Sequence, residues 1–349
     1  MRILHVGDIH LIDGPNLDDT LQALRQVHDI VVVRGVDLVL IPGDLYDRKS
    51  TPHERALMAE QVDSLAPVPV LIVKGNHDVA EDLVPLALAS HVRVFERPDL
   101  VSIGEVDVLC IPWPERAHLA GNGFTGEGGL QAAQAALGEL IRTMAANRDT
   151  TRKLVVMGHL SLVGALSSSG QPLVGREIQA LKDDLYETGA HFICLNHIHK
   201  PQPLYAGSLT VQDFGEEDEE KRVMLFDLDT RACESIPISC RRWVTVDMEV
   251  GPPPENWDDD FTDCNVRVRY TCTEEESHLF DHAAIERRFA LAHSLKIVPN
   301  IARSARVRAA EVASAKTNAE KLAAWGGATG TEITPGHLAR LEELEGVAR

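Results

Sequence analysis

Val70-Leu71-Ile72-Val73-Lys74-Gly75-Asn76-His77-Asp78 is an apolar, β-branched run that stops at a glycine and then delivers an amide, an imidazole and a carboxylate in succession. Short and preceded by Pro67 and Pro69, it reads as a central strand of an α/β sheet whose loop leaves at the carboxyl end. In open α/β sheets that edge is where ligands bind. Read alone, the loop is equally an ordinary turn in which Gly75 and Asn76 supply permissive backbone.

The neighbouring strands decide between the two. Upstream, Ile3–Gly7 is a second apolar strand and delivers Asp8-Ile9-His10, two ligand types that project to the same side of an extended segment. Asp18 and Asp19 open a helix with Leu21, Leu24, Val27, Ile30 and Val31 on one face. A third strand, Val36–Ile41, exits at Pro42-Gly43-Asp44-Leu45-Tyr46-Asp47-Arg48, and a helix from Pro52 to Leu65 returns the chain to Val70. Two β-α-β crossovers therefore line up Asp8, His10, Asp44, Asn76 and His77 on one sheet edge.

Further along, β-like runs occupy His91–Phe95, Leu100–Ile103 and Val106–Ile111, and Leu130 to Ala146 reads as a helix. The glycines of Gly121–Gly129 lack a following Gly-Lys-Ser/Thr, so they read as a loop rather than a phosphate cradle. The strand device then recurs twice: Lys153–Met157 ends at Gly158-His159, and His191–Leu195 ends at Asn196-His197-Ile198-His199. Arg222–Leu228 continues in antiparallel style. The acidic run Glu216–Glu220 reads as a solvated hairpin, because its carboxylates repel and no histidine is interleaved.

Composition bounds the reading. At 349 residues the chain implies two or three domains with a sizeable core. No run of about 18 apolar residues suggests a membrane span, and Met1-Arg2-Ile3-Leu4 enters a strand directly, so a cytoplasmic protein is expected. The six cysteines include no C-x-x-C pair and read as reduced, structural thiols. A formal charge of −19 argues against a surface that grips nucleic acid nonspecifically by itself.

Asp8, His10, Asp44, Asn76, His159, His197 and His199 form one set of strand-end ligands. Carboxylate, amide and imidazole without thiolate suit manganese, iron or zinc better than calcium. Seven ligands are too many for one ion, whereas two ions about 3.5–4 Å apart would use them as a clamp for in-line displacement at phosphorus.

The order Asp-x-His, Gly-Asp-x-x-Asp, Gly-Asn-His-Asp, Gly-His and x-His-x-His resembles the signature of the calcineurin-like metallophosphoesterases, over roughly the first 230 residues. That resemblance implies a two-sheet β-sandwich flanked by helices, with Asp8, His10 and His199 on one metal, Asn76, His159 and His197 on the other, and Asp44 bridging them. It implies that His77 protonates the leaving oxygen and that Asp47 orients it. One position departs from the pattern: Asn196 stands where the last motif usually has glycine. Asparagine tolerates left-handed backbone, so the site is expected to survive.

Gly43-Asp44-Leu45-Tyr46-Asp47 with Thr51-Pro52, His197-Ile198-His199-Lys200-Pro201-Gln202, Gly175-Arg176-Glu177, Tyr205-Ala206-Gly207-Ser208 and Asp213-Phe214-Gly215-Glu216 before Lys221 resemble the SbcD-type nuclease subunits of that superfamily. The resemblance implies a nuclease domain over 1–240, a small α+β capping domain over 241–300 that shapes the DNA path, and a C-terminal helical partner-binding segment over 301–349. It also implies manganese-dependent exonuclease action on DNA ends, with endonuclease action beside it, in a repair complex with an SbcC-type SMC-like ATPase, and a homodimer. Ile301, Ala305, Val312, Ala315, Ala319 and Leu322 read as a heptad-like stripe, Gly326–Gly330 as its break, and Thr334-Pro335 as the start of a helix carrying Leu338, Leu341 and Leu344. Two other readings stay open: a phosphodiesterase or phosphatase for small nucleotides, which the acidic charge suits, and a weakly active scaffold subunit, which Asn196 suggests.

Overall fold

The computed structural model describes residues 1–119, 129–171, 177–251, 260–273, 276–302, 312 and 315–347. In chain order its strands are β1 (Arg2–His5), β2 (Leu38–Ile41), β3 (Val70–Val73), β4 (Val92–Phe95), β5 (Asp99–Ile103), β6 (Val106–Ile111), β7 (Lys153–His159) and β8 (Ser161–Leu162). They continue with β9 (Gln179–Ala180), β10 (Phe192–Asn196), β11 (Arg222–Asp227), β12 (Cys233–Pro237), β13 (Trp243–Glu249), β14 (Asn265–Thr273) and β15 (Ser294–Ala302).

Every residue of β2 and β3 is buried, which is what continuous apolar runs demand of parallel strands covered on both faces. The first sheet has the order β12-β11-β1-β2-β3-β4, with β1 to β4 parallel and β11 antiparallel to β1. The second has the order β10-β7-β6-β5, parallel except for β5. Ile3, Leu40 and Leu71 of the first sheet share one core cluster with Val108, Val155 and Cys194 of the second, so the sheets pack face to face. The outer face of the first sheet is covered by the helices Leu17–Arg34 and Pro52–Asp63, and that of the second by the helix Gly129–Ala146. The architecture is the expected α/β sandwich.

Local chemistry sets the helix ends. Asp18 and Asp19 sit in the first turn of Leu17–Arg34, where the helix dipole favours carboxylates, and Gly35 closes that helix in the left-handed region at φ 57°. Pro52–Asp63 begins with a capping box between Thr51 and Glu54. The buried Glu54 also accepts the Asp13 amide at 2.7 Å and pairs with Arg48, so the start of this helix tethers two loops that lead to the sheet edge.

The chain divides into two units, one of residues 1–246, 259–267 and 289–296, the other of 247–258, 268–288 and 297–349. β13, β14 and β15 form a three-stranded sheet in that order. In the second unit Tyr270 stacks on Phe280 at 3.7 Å, and the helices Asn318–Thr329 and Pro335–Val347 enclose an apolar groove lined by Leu322, Trp325, Ile333, Leu341 and Leu344. The helix expected to break at Gly326 instead runs on to Thr329 and is capped by Gly330 at φ 68°. Gly326 is there for close approach: a β-carbon would lie 2.8 Å from the Thr331 carbonyl oxygen and against Ile333. Of the heptad-like stripe, Ile301 lies in β15 rather than on a helix, and Ala319 and Leu322 lie on the helix Asn318–Thr329. Ala305, the Gly121–Gly128 loop, Gly175-Arg176 and the Pro252-Pro253-Pro254 break lie outside the described residues.

Candidate metal centre

All seven predicted ligands meet where the carboxyl ends of both sheets come together. The first sheet brings Asp8 and His10 after β1, Asp44 after β2 and Asn76 after β3; the second brings His159 at the end of β7, and His197 and His199 after β10. Ligand atoms of Asp8, His10 and Asp44 lie within 4.8 Å of one another, as do those of Asp44, His159 and His197. The His199 Nε2 is 3.0 Å from the His10 Nε2, and the Asn76 Oδ1 is 2.8 Å from the His159 Nε2 and 2.9 Å from the His197 Nδ1. Two groups result, and Asp44 is common to both.

Backbone lacing holds this arrangement. The amides of Ile9 and His10 both donate to the Asp44 carbonyl at 3.0 Å, the His77 amide donates to the Asp44 carboxylate at 3.0 Å, and the His197 amide donates to the Asp8 carboxylate at 3.1 Å. Three of the predicted ligands occupy the left-handed region: His10 at φ 50°, Asp44 at φ 51° and His197 at φ 101°. Each such residue costs on the order of 1–3 kcal/mol and persists only where surrounding bonds over-determine it. Gly75 passes so close to Asp44 that any β-carbon would overlap its carboxylate.

Asp78 joins two of these loops. It is buried, and its two oxygens accept the amides of Leu45, Tyr46 and Gly75 at 3.0, 3.2 and 2.9 Å, tying the Asn76 loop to the Asp44 loop. The short helix Ala80–Leu83 has no side-chain cap. Asn196 differs from expectation. It is the last residue of β10, fully buried, and the left-handed residue is His197 instead. Its side chain accepts from His5 Nε2 at 2.9 Å and donates to the Val6 carbonyl at 3.2 Å, which joins the second sheet to the first.

The ring directions show what the cluster can hold. His159 Nδ1 donates to the Pro42 carbonyl at 2.8 Å, so its Nε2 faces the Asn76 Oδ1 and, at 3.3 Å, the Asp44 Oδ2. His197 Nε2 lies 3.0 Å from the Glu177 carboxylate, which turns Nδ1 toward Asn76. His199 Nδ1 lies 2.8 Å from the Glu216 carboxylate, which turns Nε2 toward His10. Ring nitrogens, an amide oxygen and carboxylate oxygens thus face one another as acceptors, an arrangement that only protons or cations between them can satisfy. Burial disfavours a charged ring, yet Asp44 and Asp8 pull His159 up to about 9, so the carboxylates here strongly favour positive charge. Burial pushes the Asp8 carboxyl up and His10 down to about 3, and His10 Nδ1 is buried without a hydrogen-bond partner. The residues present fit divalent cations.

Glu216 overturns the solvated-hairpin reading of the acidic run. It is 3% exposed and Lys221 is 2% exposed, and the two are paired at 2.8 Å. Burial alone would raise the Glu216 carboxyl, but His199 and Lys221 hold it down at about 2. Neither Glu177 nor Glu216 is in the predicted ligand set. Trp113 adds an apolar wall, its ring centroid 4.7 Å from that of His197.

His77 and Asp47 sit at the open rim. The His77 ring is exposed, 5.0 Å from that of His10 and at right angles to it. Its Nδ1 is held at 2.6 Å by the backbone carbonyl of Asp47, whereas the Asp47 carboxylate faces His10 Nδ1 at 3.6 Å.

A two-sheet sandwich with this cluster at its edge defines a metallophosphoesterase. Residues 1–201 match the calcineurin-like phosphoesterase model, and the chain belongs to that family. Among curated relatives, the SbcD subunit of the SbcCD nuclease from Staphylococcus saprophyticus is 26% identical over 253 residues, 65% of this chain and 66% of that protein. The corresponding SbcCD nuclease subunit from Rhodobacter capsulatus is 27% identical over 244 residues, 59% of this chain and 60% of that one. The matched segments thus span 60–66% of the relatives' length, less than two thirds. A crystal structure of a dimetal phosphatase from Danio rerio aligns with a TM-score of 0.41 at 11% identity, over 68% of this chain and 99% of that one. Among the described residues no helix is long and apolar enough to cross a membrane.

Proposed function

We propose that this chain is a two-ion phosphodiesterase that cleaves DNA from its ends, as the nuclease subunit of a complex with an SbcC-type ATPase. The observation that carries the reading is the pair of facing acceptor groups that share Asp44: Asp8, His10 and His199 for one ion, Asn76, His159 and His197 for the other. Divalent ions held there, manganese, iron or zinc by the ligand chemistry and manganese by the family resemblance, would supply Lewis-acid charge at the phosphoryl oxygens and lower the pKa of a bound water.

The chain's own residues do the rest. Asp44 and Asp8 supply the buried negative charge. With its Nδ1 fixed on the Asp47 carbonyl, His77 presents Nε2 to the open face, where it carries the proton for the departing sugar oxygen. An alkoxide leaves poorly without one. Asp47 acts on His77 through its carbonyl.

The relatives named as nuclease subunits support DNA as substrate, and the 241–300 module is assigned to its path. The apolar groove between the two C-terminal helices supports 301–349 as the segment that docks the ATPase. The −19 charge fits a DNA enzyme if that partner supplies basic surface. Cytoplasmic location and homodimerisation belong to the same proposal.

The charge favours one competing substrate class, small nucleotide esters. Linear duplex DNA, a cyclic nucleotide and bis(p-nitrophenyl) phosphate, each assayed with Mn²⁺, separate the two. DNA cleavage that falls roughly 10²–10⁴-fold in His77→Ala supports the proposal. The nitrophenyl ester, whose leaving group needs no proton, should lose far less. Turnover confined to small esters contradicts the DNA assignment.

A further inference from the structure

We propose that Glu216 and Glu177 are positioning residues that set the affinities of the two ions separately, Glu216 through His199 and Glu177 through His197. The inference rests on the two-ion reading and adds to it the groups that aim the rings.

An imidazole can offer a lone pair inward only if its other nitrogen keeps the proton. In His199 that proton must sit on Nδ1, which points at Glu216 Oε1 at 2.8 Å; in His197 it must sit on Nε2, which points at Glu177 Oε2 at 3.0 Å. The two neighbours in the His-x-His segment are therefore held in opposite tautomers by two different carboxylates. His159 needs no such carboxylate, because the Pro42 carbonyl takes its Nδ1 proton.

The two glutamates are anchored differently. Glu216 Oε2 accepts Lys221 Nζ at 2.8 Å, Ser208 Oγ at 3.1 Å and the Gln212 amide at 3.0 Å, so its Oε1 has one direction available. Glu177 is partly exposed and is held by His197 and the Ser161 hydroxyl. This asymmetry dictates the variants. In Glu216→Gln the three donors on the Oε2 side claim the amide oxygen, the NH2 group turns to His199, and a donor then faces a donor. His199 is driven to the tautomer that carries its proton inward. A glutamine at 177 could rotate its oxygen back to His197, so Glu177→Ala is the informative change there.

The test is Mn²⁺ titration calorimetry on the full chain, together with long-range ¹H–¹⁵N spectra of the histidine rings in the metal-free protein. The wild type should bind two ions and show Nδ1–H for His199 and Nε2–H for His197. Glu216→Gln should weaken one ion by roughly 10–100-fold and shift only the His199 ring signals, and Glu177→Ala should do the same to the other ion and to His197. In a His199→Ala background, which keeps a single ion, adding Glu216→Gln should change nothing further, and Glu177→Ala in His197→Ala should behave likewise. Should Glu216→Gln not fold, Glu177→Ala at its partly exposed position carries the test alone. Two ions bound at wild-type affinity in both variants, or both ions weakened equally by either one, overturn the inference and leave the two-ion reading standing. Fewer than two ions in the wild type overturns that reading and the inference with it.

Discussion

The loops of the first sheet bring Asp8, Asp44, His10 and Asn76 to the centre, whereas the loops of the second bring only rings, His159, His197 and His199. The first half supplies charge: its carboxylates are buried, and its loops are laced to each other by backbone bonds through Asp44 and Asp78. The second half supplies direction, because a neutral ring is useful only when a fixed acceptor behind it decides which nitrogen faces inward. Pro42, Glu177 and Glu216 are those acceptors. The difference teaches that damage to the first half should be collective and damage to the second confined to one ion.

The largest expected effect follows from Asp44, which is common to both groups. Asp44→Ala should abolish tight binding of both ions and lower Mn²⁺-dependent phosphodiester hydrolysis by more than about 10³-fold, as calorimetry and a chromogenic assay would read. Retention of one ion at wild-type affinity would break the comparison.

Next in size is an acid effect at the join between the sheets. Burial pushes His5 down to about 4, below its ordinary value of 6.5, and it donates to Asn196. A depressed folded pKa means that the unfolded chain binds the proton more readily, so stability is complete above pH 6.5 and is lost as pH falls toward 4. The loss amounts to about 3 kcal/mol at most. Urea unfolding of the metal-free protein between pH 7 and 4 should show this slope together with that of His10, which is also pushed down, and His5→Gln should reduce it. A slope unchanged in His5→Gln would assign the acid sensitivity elsewhere.

The smallest expected effect sharpens the role of Asn196. Asn196→Ala strands the buried His5 Nε2–H and removes the bond to Val6, at a cost of roughly 1–3 kcal/mol in denaturant stability. Because the carbonyl, Glu177 and Glu216 still aim the second-sheet rings, Mn²⁺ affinity should change less than in Glu216→Gln. A collapse of metal binding with stability intact would place Asn196 in the centre itself.

The candidate ligands were legible in the sequence because each follows an apolar strand and the crossovers fix where those strands end. The groups that aim the ligands were hidden for different reasons. Glu216 opens a run of carboxylates that pattern alone assigns to solvent, and the buried Lys221 and His199, which the fold brings to it, neutralise it. Glu177 is far from His197 along the chain and meets it only in the folded sandwich. The role of Asp78 was hidden because Leu45 and Tyr46, whose amides it accepts, belong to the preceding strand's loop. Asn196 was read through a motif in which glycine suggests left-handed backbone, while the strain falls one residue later, on His197. Gly326 looked like a breaker for the same reason that glycine is useful there, its missing side chain, which lets Ile333 pack against the helix.

The central claim is that the two halves close around a pair of ions that share Asp44. Electron paramagnetic resonance of the chain loaded with Mn²⁺ tests it most directly, since two ions about 3.5–4 Å apart couple magnetically. The account predicts a spin-coupled pair at two equivalents of Mn²⁺, lost in Asp44→Ala. A spectrum of isolated Mn²⁺ ions at full loading would contradict it.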